Sequence, residues 1–195
     1  MSKKLPDQIP VFPLSGVIYF PKTNLPLNIF EPRYLNLVND AIRKDKLMGM
    51  IQSRRKSQEV YTVGCLGEIT DCQKSKDGRI FINLTGLTRF EVLDETKNSK
   101  LYREFKVNYK KFDLDLKPIR EEVNINSIME KAKIFFEKNG LLLNWREFEK
   151  LDKSQKINTL AMIAPITNEE KQKLLESVSL YDKVNTLGNI INFYL

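Results

Sequence analysis

The chain contains no histidine and only two cysteines, and these absences narrow the chemistry it can perform. Without histidine, the commonest general base and the usual partner of a nucleophilic serine are missing. Cys65 and Cys72 are too few for a zinc site, which takes about four ligands. Few cysteines also suit a protein whose thiols stay reduced. The sequence therefore predicts no metal site and a cytoplasmic location.

Glycine patterns and apolar runs are also sparse. The eight glycines never form G-x-x-x-x-G-K-[ST] or G-x-G-x-x-G, so no nucleotide cofactor is predicted. No run of about 18 apolar residues is present, which argues against a membrane span. The start, MSKKLPDQIP, has no apolar segment behind its lysines, as a secretory signal would. A hydrolase would need a serine or cysteine activated by lysine in a pocket, and Cys65 has no basic neighbour in sequence. We therefore predict a non-enzymatic protein.

The charge of the chain is basic, at +7, with 42% hydrophobic and 29% charged residues. This composition is typical of a soluble folded protein. A basic balance can indicate nucleic-acid binding. The densest basic spots, 54–56 and Lys110-Lys111, are short and carry no aromatic stacking motif. We therefore expect a solvated basic face, and RNA binding remains an alternative.

Strand signals fill the first part of the chain. The predicted strands are IPVFPL (9–14), LPLNIF (25–30), LMGMIQS (47–53), YTVGCLGEITDC (61–72), IFINLTG (80–86), FEVL (90–93) and EFKVNYK (104–110). In IFINL, the residues Ile80, Ile82 and Leu84 alternate with others and predict one buried face. Asp77-Gly78, between two β-prone runs, predicts a hairpin with a type I′ turn.

Helical periodicity dominates the rest. Pro32 and the apolar residues behind it predict one early helix at about 32–45. After residue 113 the pattern indicates a helix ending at Gly140, helices at about 145–151 and 154–164, a capped helix after Thr167, and a last helix from Ser179. The predicted class is α+β, with a β-rich subdomain at 1–113 and a helical subdomain at 114–195. The join is expected near 112–118.

Several of these segments together resemble a known family. Residues 9–34, IPVFPLSGVIYFPKTNLPLNIFEPRY, are similar to the start of the Lon N-terminal domain, the substrate-recognition region of ATP-dependent Lon proteases that also occurs as a stand-alone protein. VGCLGEI (63–69), LTGLTRFEV (84–92) and the stretch 157–187 resemble its later motifs. The resemblance implies a PUA-like β pseudo-barrel followed by a small helical bundle.

The same resemblance implies a function. It suggests a module that binds unfolded or exposed apolar polypeptide segments, without ATPase or peptidase motifs of its own. Partners would be client polypeptides, and whether the module works with a separate protease, with a chaperone or alone is left open. Apolar patches with aromatic and arginine residues are typical of such sites. The candidate peptide-binding residues are Tyr19, Phe20, Pro26, Glu31, Arg33, Tyr34, Leu87 and Arg89.

Structural roles compete with this hypothesis for several residues. For the apolar positions Leu27, Ile29, Phe30, Leu35 and Phe90, we favour a place in the core. Glu31 has an alternative role in pairing with Arg33 or Arg89 to fix the corner between strand and helix. The oligomeric state is left open, since the apolar stripe ending at Tyr194 could pack inward, as we expect, or form a dimer. The alternative function is RNA binding by a PUA-like barrel with a basic face.

Overall fold

The structure is a computed structural model that describes residues 4–54, 59–117 and 122–195. Its strands are β1 (Gln8–Leu14), β2 (Asn24–Ile29), β3 (Leu47–Gln52), β4 (Val63–Lys74), β5 (Ile80–Thr96) and β6 (Arg103–Asn108). Two segments predicted as separate strands, at 80–86 and 90–93, form the single 17-residue strand β5. The basic residues at 55 and 56 lie outside the described residues.

The strands form one mixed sheet in the order β2-β5-β4-β3-β1-β6. The strand β1 runs parallel to β3, and the other pairs are antiparallel. The last strand, β6, pairs with both β1 and β5, so five strands close on themselves. The remaining strand, β2, pairs with β5 beside this closed part. A closed sheet followed by helices is the α+β architecture that the sequence predicts.

Two apolar clusters lie on the two faces of this sheet. The smaller one contains Ile9, Leu66, Phe90 and Phe105, together with neighbours from the same strands. The larger one joins the other face of the sheet to the helices. The predicted alternation is confirmed in β5, where Ile80, Ile82 and Leu84 are buried. Strands that are buried on both faces, as all of β3 is, read in sequence as continuous apolar runs.

The hairpin between β4 and β5 is confirmed, but its turn is not of type I′. A type I′ turn needs a positive φ at both central residues. Here Gly78 has a φ of 87°, whereas Asp77 is not among the positive-φ residues. The backbone N–H of Ser75 donates to the carbonyl of Arg79, and that of Gly78 donates to Ser75. The loop is longer than a two-residue turn and has a positive φ at one position only, which Gly78 occupies.

The early helix, α1 (Pro32–Arg43), begins at the predicted proline and ends two residues before the predicted end. Pro32 sits in the first turn, where its missing N–H leaves no hydrogen bond unmade. Tyr34, Leu37, Val38 and Ala41 form its buried face. This spacing places α1 against the sheet as an amphipathic helix.

The later helices follow a 3₁₀ helix at Lys110–Leu116. They are α2 (Asn126–Lys138), α3 (Trp145–Phe148), α4 (Lys153–Ile163), α5 (Asn168–Glu176) and α6 (Leu180–Tyr194). The predicted capping box at Thr167 and Glu170 is confirmed, because each side chain accepts from the other residue's backbone N–H. Gly140 follows the end of α2 with a φ of 65°, as a helix-terminating glycine does.

The boundary between the two parts stays a prediction. Its position after residue 113 falls within the 3₁₀ helix, and residues 118–121 lie outside the described residues. The apolar stripe of α6 packs inward, with Val184, Leu187 and Ile191 buried. Within the part of the chain that the structure describes, no helix is both long and apolar enough to cross a bilayer.

Candidate binding surface

Tyr19 and Phe20 lie inside the protein, so the prediction that they are exposed is wrong. Their relative exposures are 2% and 0%. The segment that carries them connects β1 to β2 and passes between the sheet and the helices. The carbonyl of Pro21 accepts a hydrogen bond from Asn158 of α4, and the N–H of Lys22 donates to Gly86 of β5. This segment therefore connects the sheet to the helical part and offers no aromatic surface.

Arg89 is also buried, with a relative exposure of 2%, and the prediction that it lies at the surface is wrong. Its guanidinium donates to both carboxylate oxygens of Asp115, at 2.9 and 2.8 Å. Its terminal nitrogens also donate to backbone carbonyls at and beyond the end of α5, those of Leu175, Ser177 and Val178. A guanidinium satisfied in this way is a structural clamp between β5 and the helices.

Two further candidates belong to the interior. Tyr34 is buried, its ring centroid lies 3.8 Å from that of Phe12, and its hydroxyl donates to the carbonyl of Pro13 at 3.3 Å. Leu87 is half-buried and packs against the cluster inside the closed part of the sheet. Tyr34 therefore has little surface for a partner, and Leu87 has only part of its side chain exposed.

Glu31 and Arg33 pair with each other at the corner between β2 and α1. Their charged groups are 2.8 Å apart, and both side chains are about half exposed. The guanidinium of Arg33 also lies 4.5 Å from the ring centroid of Tyr34. The structural alternative for these charges is therefore confirmed with Arg33 as the partner. The pairing with Arg89 is wrong, because Arg89 is bound to Asp115.

Phe30 is 62% exposed, although the sequence favoured a place in the core. Of the other apolar positions in that group, Ile29 and Phe90 are buried, and Leu27 and Leu35 pack partly buried against the core. Phe30 follows directly after β2, where the inward alternation of Leu25, Leu27 and Ile29 ends. It therefore projects away from the core, as the outward residues of β2 do.

The exposed apolar side chains at this edge form what we name the β2 patch, consisting of Pro26, Phe30 and Phe81. Phe81 of β5 is 46% exposed and pairs with Asn28 of β2. Phe30 lies two residues beyond Asn28, which makes it a diagonal neighbour of Phe81 in the sheet. Pro26 is exposed on the same side of β2 as Asn28. The sheet therefore fixes the positions of Pro26 and Phe81, and Phe30 directly follows the last paired residue of β2.

Phe81 was not among the candidates from the sequence, although a signal for it was present. The alternation in IFINL that buries Ile80 and Ile82 requires Phe81 to lie on the opposite face. Whether helices cover that face depends on the tertiary structure. In the observed fold they do not cover it at Phe81.

Polar side chains border the β2 patch. Asn24 accepts hydrogen bonds from Thr85, at 2.7 Å, and Asn83, at 3.4 Å, while Thr70 bonds to both Asn83 and Thr85. These residues are cross-strand neighbours at the exposed end of the sheet. Together with the Glu31–Arg33 pair they give the patch a polar rim, which is the arrangement typical of protein interfaces.

The described residues were compared with the requirements of metal binding and of nucleophilic catalysis. Among the described residues, no group of three or more histidine, cysteine or acidic side chains could hold a metal. Burial raises the pKa of the Cys65 thiol well above its ordinary value, which disfavours the thiolate that a nucleophile needs. In the described part of the chain many basic side chains pair with acids, among them Lys22 with Asp152 and Lys111 with Glu91.

These features define a closed β-sheet with attached helices and an aromatic patch at one sheet edge. The family described as the substrate-binding domain of the ATP-dependent protease La (Lon) matches residues 8–192. The chain belongs to this family. It corresponds to the substrate-binding region of Lon and not to the ATPase or protease region.

Relatives and solved structures agree with this assignment. The Lon protease of Syntrophus aciditrophicus (strain SB) is 27% identical over 98% of this chain, which covers 26% of that protein. The Lon protease of Anaeromyxobacter dehalogenans (strain 2CP-C) is 23% identical over 96% of the chain. The chain thus spans about a quarter of the length of these relatives. The crystal structure of a Lon N-terminal domain protein from Xanthomonas campestris superposes with a TM-score of 0.70 at 20% identity, covering 92% of this chain and 96% of that one.

The N-terminal domain of the Mycobacterium avium complex Lon protease gives a TM-score of 0.69 at 16% identity, covering 96% of this chain and all of that one. At such identities these likenesses establish the fold. They confirm the α+β class that the sequence predicts and leave the choice of binding surface to the geometry of this chain.

Proposed function

We propose that this chain is a non-enzymatic protein-binding module that holds unfolded polypeptides by their exposed apolar segments, and that the β2 patch is its contact surface. Membership of the substrate-binding family supports a role in binding polypeptides. The observation that carries the choice of surface is the exposure of Phe30 and Phe81, 62% and 46%, at neighbouring positions of one sheet edge.

The composition of the β2 patch favours protein binding. Aromatic side chains dominate binding energy at interfaces because they bury a large apolar area with few rotatable bonds. Pro26 adds a rigid apolar surface on the same side. Because β5 and β2 hold Pro26 and Phe81 in a fixed register and Phe30 directly follows β2, little ordering is required when a partner binds. An apolar patch with a polar rim can contact many different polypeptides that share only exposed apolar side chains.

The surface charge gives little support to the RNA alternative. An RNA-binding face gathers lysine and arginine on one side to contact phosphates. Within the described residues, ion pairs interleave the two signs, for example Arg103 with Glu95 and Lys100 with Glu104. Asp77 likewise pairs with Arg79 beside the β2 patch.

The first test compares the F30A/F81A double variant with the wild type in binding a reduced and carboxymethylated, permanently unfolded polypeptide. We expect binding to weaken about tenfold or more, because truncating interface aromatics typically costs over about 1 kcal/mol each. Phe30 and Phe81 are 62% and 46% exposed, so the free energy of unfolding should fall by no more than about 1 kcal/mol. Fluorescence anisotropy of the labelled polypeptide measures the affinity.

The matched control is F193A, which removes another aromatic ring that is 82% exposed but lies at the end of α6. It should bind as the wild type does. Equal binding by F30A/F81A and wild type would remove the β2 patch from the proposal. The same titration with single-stranded RNA at low and high salt separates the two functions. If RNA alone binds and binding vanishes at high salt, the protein-binding proposal is wrong.

A further inference from the structure

Lys183 is a buried lysine at the joint between the sheet and the helices. It lies in the first turns of α6 with a relative exposure of 3%. Its Nζ donates to Oδ1 of Asn158 at 2.7 Å, and Nδ2 of Asn158 donates to the carbonyl of Pro21 at 2.9 Å. One chain of hydrogen bonds therefore runs from α6 through α4 to the segment between β1 and β2.

The charged groups around Lys183 do not balance a positive charge on its amine. The titratable groups that face it are Arg89 from β5, Asp115 from the 3₁₀ helix and Cys65 from β4. Asp115 is bound at both oxygens by Arg89. No carboxylate of the described residues forms an ion pair with Lys183, and its nearest aromatic neighbour is Phe20, whose ring centroid lies 5.5 Å from Nζ.

A protonated amine in this position is therefore costly. Burial removes its hydration, and the neighbouring guanidinium repels it, while Asp115 offsets only part of this. Together these effects lower the pKa of Lys183 to about 7. The neutral amine keeps its hydrogen bond to Asn158 without the cost of a buried charge.

We propose that Lys183 is a proton-controlled latch, whose neutral amine keeps the helices docked on the sheet and whose protonation favours opening of the joint. In the open form the amine reaches water and holds its proton. Opening between about pH 7 and 10 then takes up one proton, so closure is favoured about tenfold for each pH unit in that window. Below this window the amine is protonated in both forms, and the dependence ends.

The composition of the chain makes a proton uptake in this pH range easy to observe. There is no histidine, so no side chain has its ordinary pKa between about 5 and 8. Cys65 is fully buried in the cluster that joins the sheet to the helices, whereas Cys72 is only partly buried further along the same strand. The two thiols therefore serve as a reporter of opening and an internal reference.

The experiment is pulsed alkylation of the full chain between about pH 6.5 and 8.5, read out by mass spectrometry for Cys65 and Cys72. Each rate is divided by the rate of the same thiol in urea-unfolded protein at that pH, which removes the titration of the thiol itself. The normalised Cys65 rate should fall about tenfold or more across this range in the wild type. That of Cys72 should stay constant.

Two variants test whether Lys183 causes the pH dependence of the Cys65 rate. K183M has a similar length and no charge, and its Cys65 rate should be independent of pH. K171M is the matched control, since Lys171 of α5 is half-buried and donates to the carbonyl of Met162 away from the latch. It should keep the wild-type dependence.

If the normalised Cys65 rate of the wild type does not change with pH, the proposal is overturned. This outcome depends on the wild type alone, so the test remains valid if K183M does not fold. A pH dependence that persists in K183M, or one that disappears in K171M, overturns it as well. A wild-type decrease that is retained in K171M and lost in K183M supports the latch.

Discussion

Arg89 uses its hydrogen-bonding groups inside the protein. Besides Asp115 and three backbone carbonyls, its guanidinium lies 4.2 Å from the ring centroid of Phe112. The planar fork of an arginine can bind a carboxylate with two nitrogens and stack on an aromatic ring at once. Arginine in sequence can indicate a binding hot spot, but here the same properties serve to connect β5 with the end of α5.

Removing this guanidinium should be strongly destabilising. In R89M the carboxylate of Asp115, whose side chain is only 11% exposed, loses the guanidinium and keeps the backbone N–H of residue 89, and we expect a loss of about 3–5 kcal/mol in the free energy of unfolding. R79M is the matched control, because Arg79 pairs with Asp77 at the surface, where both side chains are about half exposed. It should cost less than about 1 kcal/mol. Urea unfolding measures both, and similar losses for the two variants would contradict the clamp.

At the scale of elements, the segment between β1 and β2 carries the connection between sheet and helices. Its backbone bonds to Gly86 from both sides, since the N–H of Lys22 donates to Gly86 and the N–H of Gly86 donates to the carbonyl of Thr23. Because Gly86 has no side chain, this segment can approach β5 closely. A Cβ at this position would lie 2.2 Å from the carbonyl oxygen of Phe20.

The variant G86A should therefore be destabilised by about 3 kcal/mol, because the clash is with backbone that cannot rotate away. G188A is the control, since a Cβ at this position of α6 meets only Cδ1 of Ile128 in α2 at 3.7 Å, an ordinary van der Waals contact. It should be stabilised by up to about 1 kcal/mol, as alanine is a better helix former than glycine. Thermal unfolding followed by circular dichroism tests both, and an unchanged Tm in G86A would show that the segment can move.

At the scale of the whole molecule, buried contacts tie the helices to the sheet. Nε2 of Gln172 in α5 donates to the carbonyl of Val63 in β4, and Nδ2 of Asn158 in α4 donates to the carbonyl of Pro21 in the segment between β1 and β2. The larger apolar cluster includes residues from both parts. Elements that share one core lose their packing together when either part unfolds.

We therefore expect one cooperative unfolding transition for the full chain. Trp145, the single tryptophan, packs with its ring edge against Phe136 and Phe148 and reports on the helices. Alkylation of Cys65 reports on the exposure of β4 where it meets the helices. In one urea titration the two signals should share a midpoint. Midpoints that differ beyond error would show that the parts unfold separately, which would favour two independent domains.

The family, the α+β class and most of the helices and strands follow from local patterns in the chain. Prolines, alternation and caps act over a few residues, so Pro32, the alternation in IFINL and the capping box at Thr167 could be recognised without tertiary contacts. The stretch LPLNIFEPRY (25–34) is a strand followed by the start of a helix, as its prolines and apolar residues predict. Its Glu31–Arg33 pair is local as well.

Which apolar and charged side chains face solvent depends on contacts between distant parts of the chain. Tyr19 and Phe20 are buried because helices far along the chain cover them, whereas Phe30 and Phe81 are exposed because none does. Arg89 and Lys183 are likewise defined by partners distant in sequence. Burial depends on the whole packing arrangement, and the period of a strand specifies its two faces without stating which one a distant element will cover.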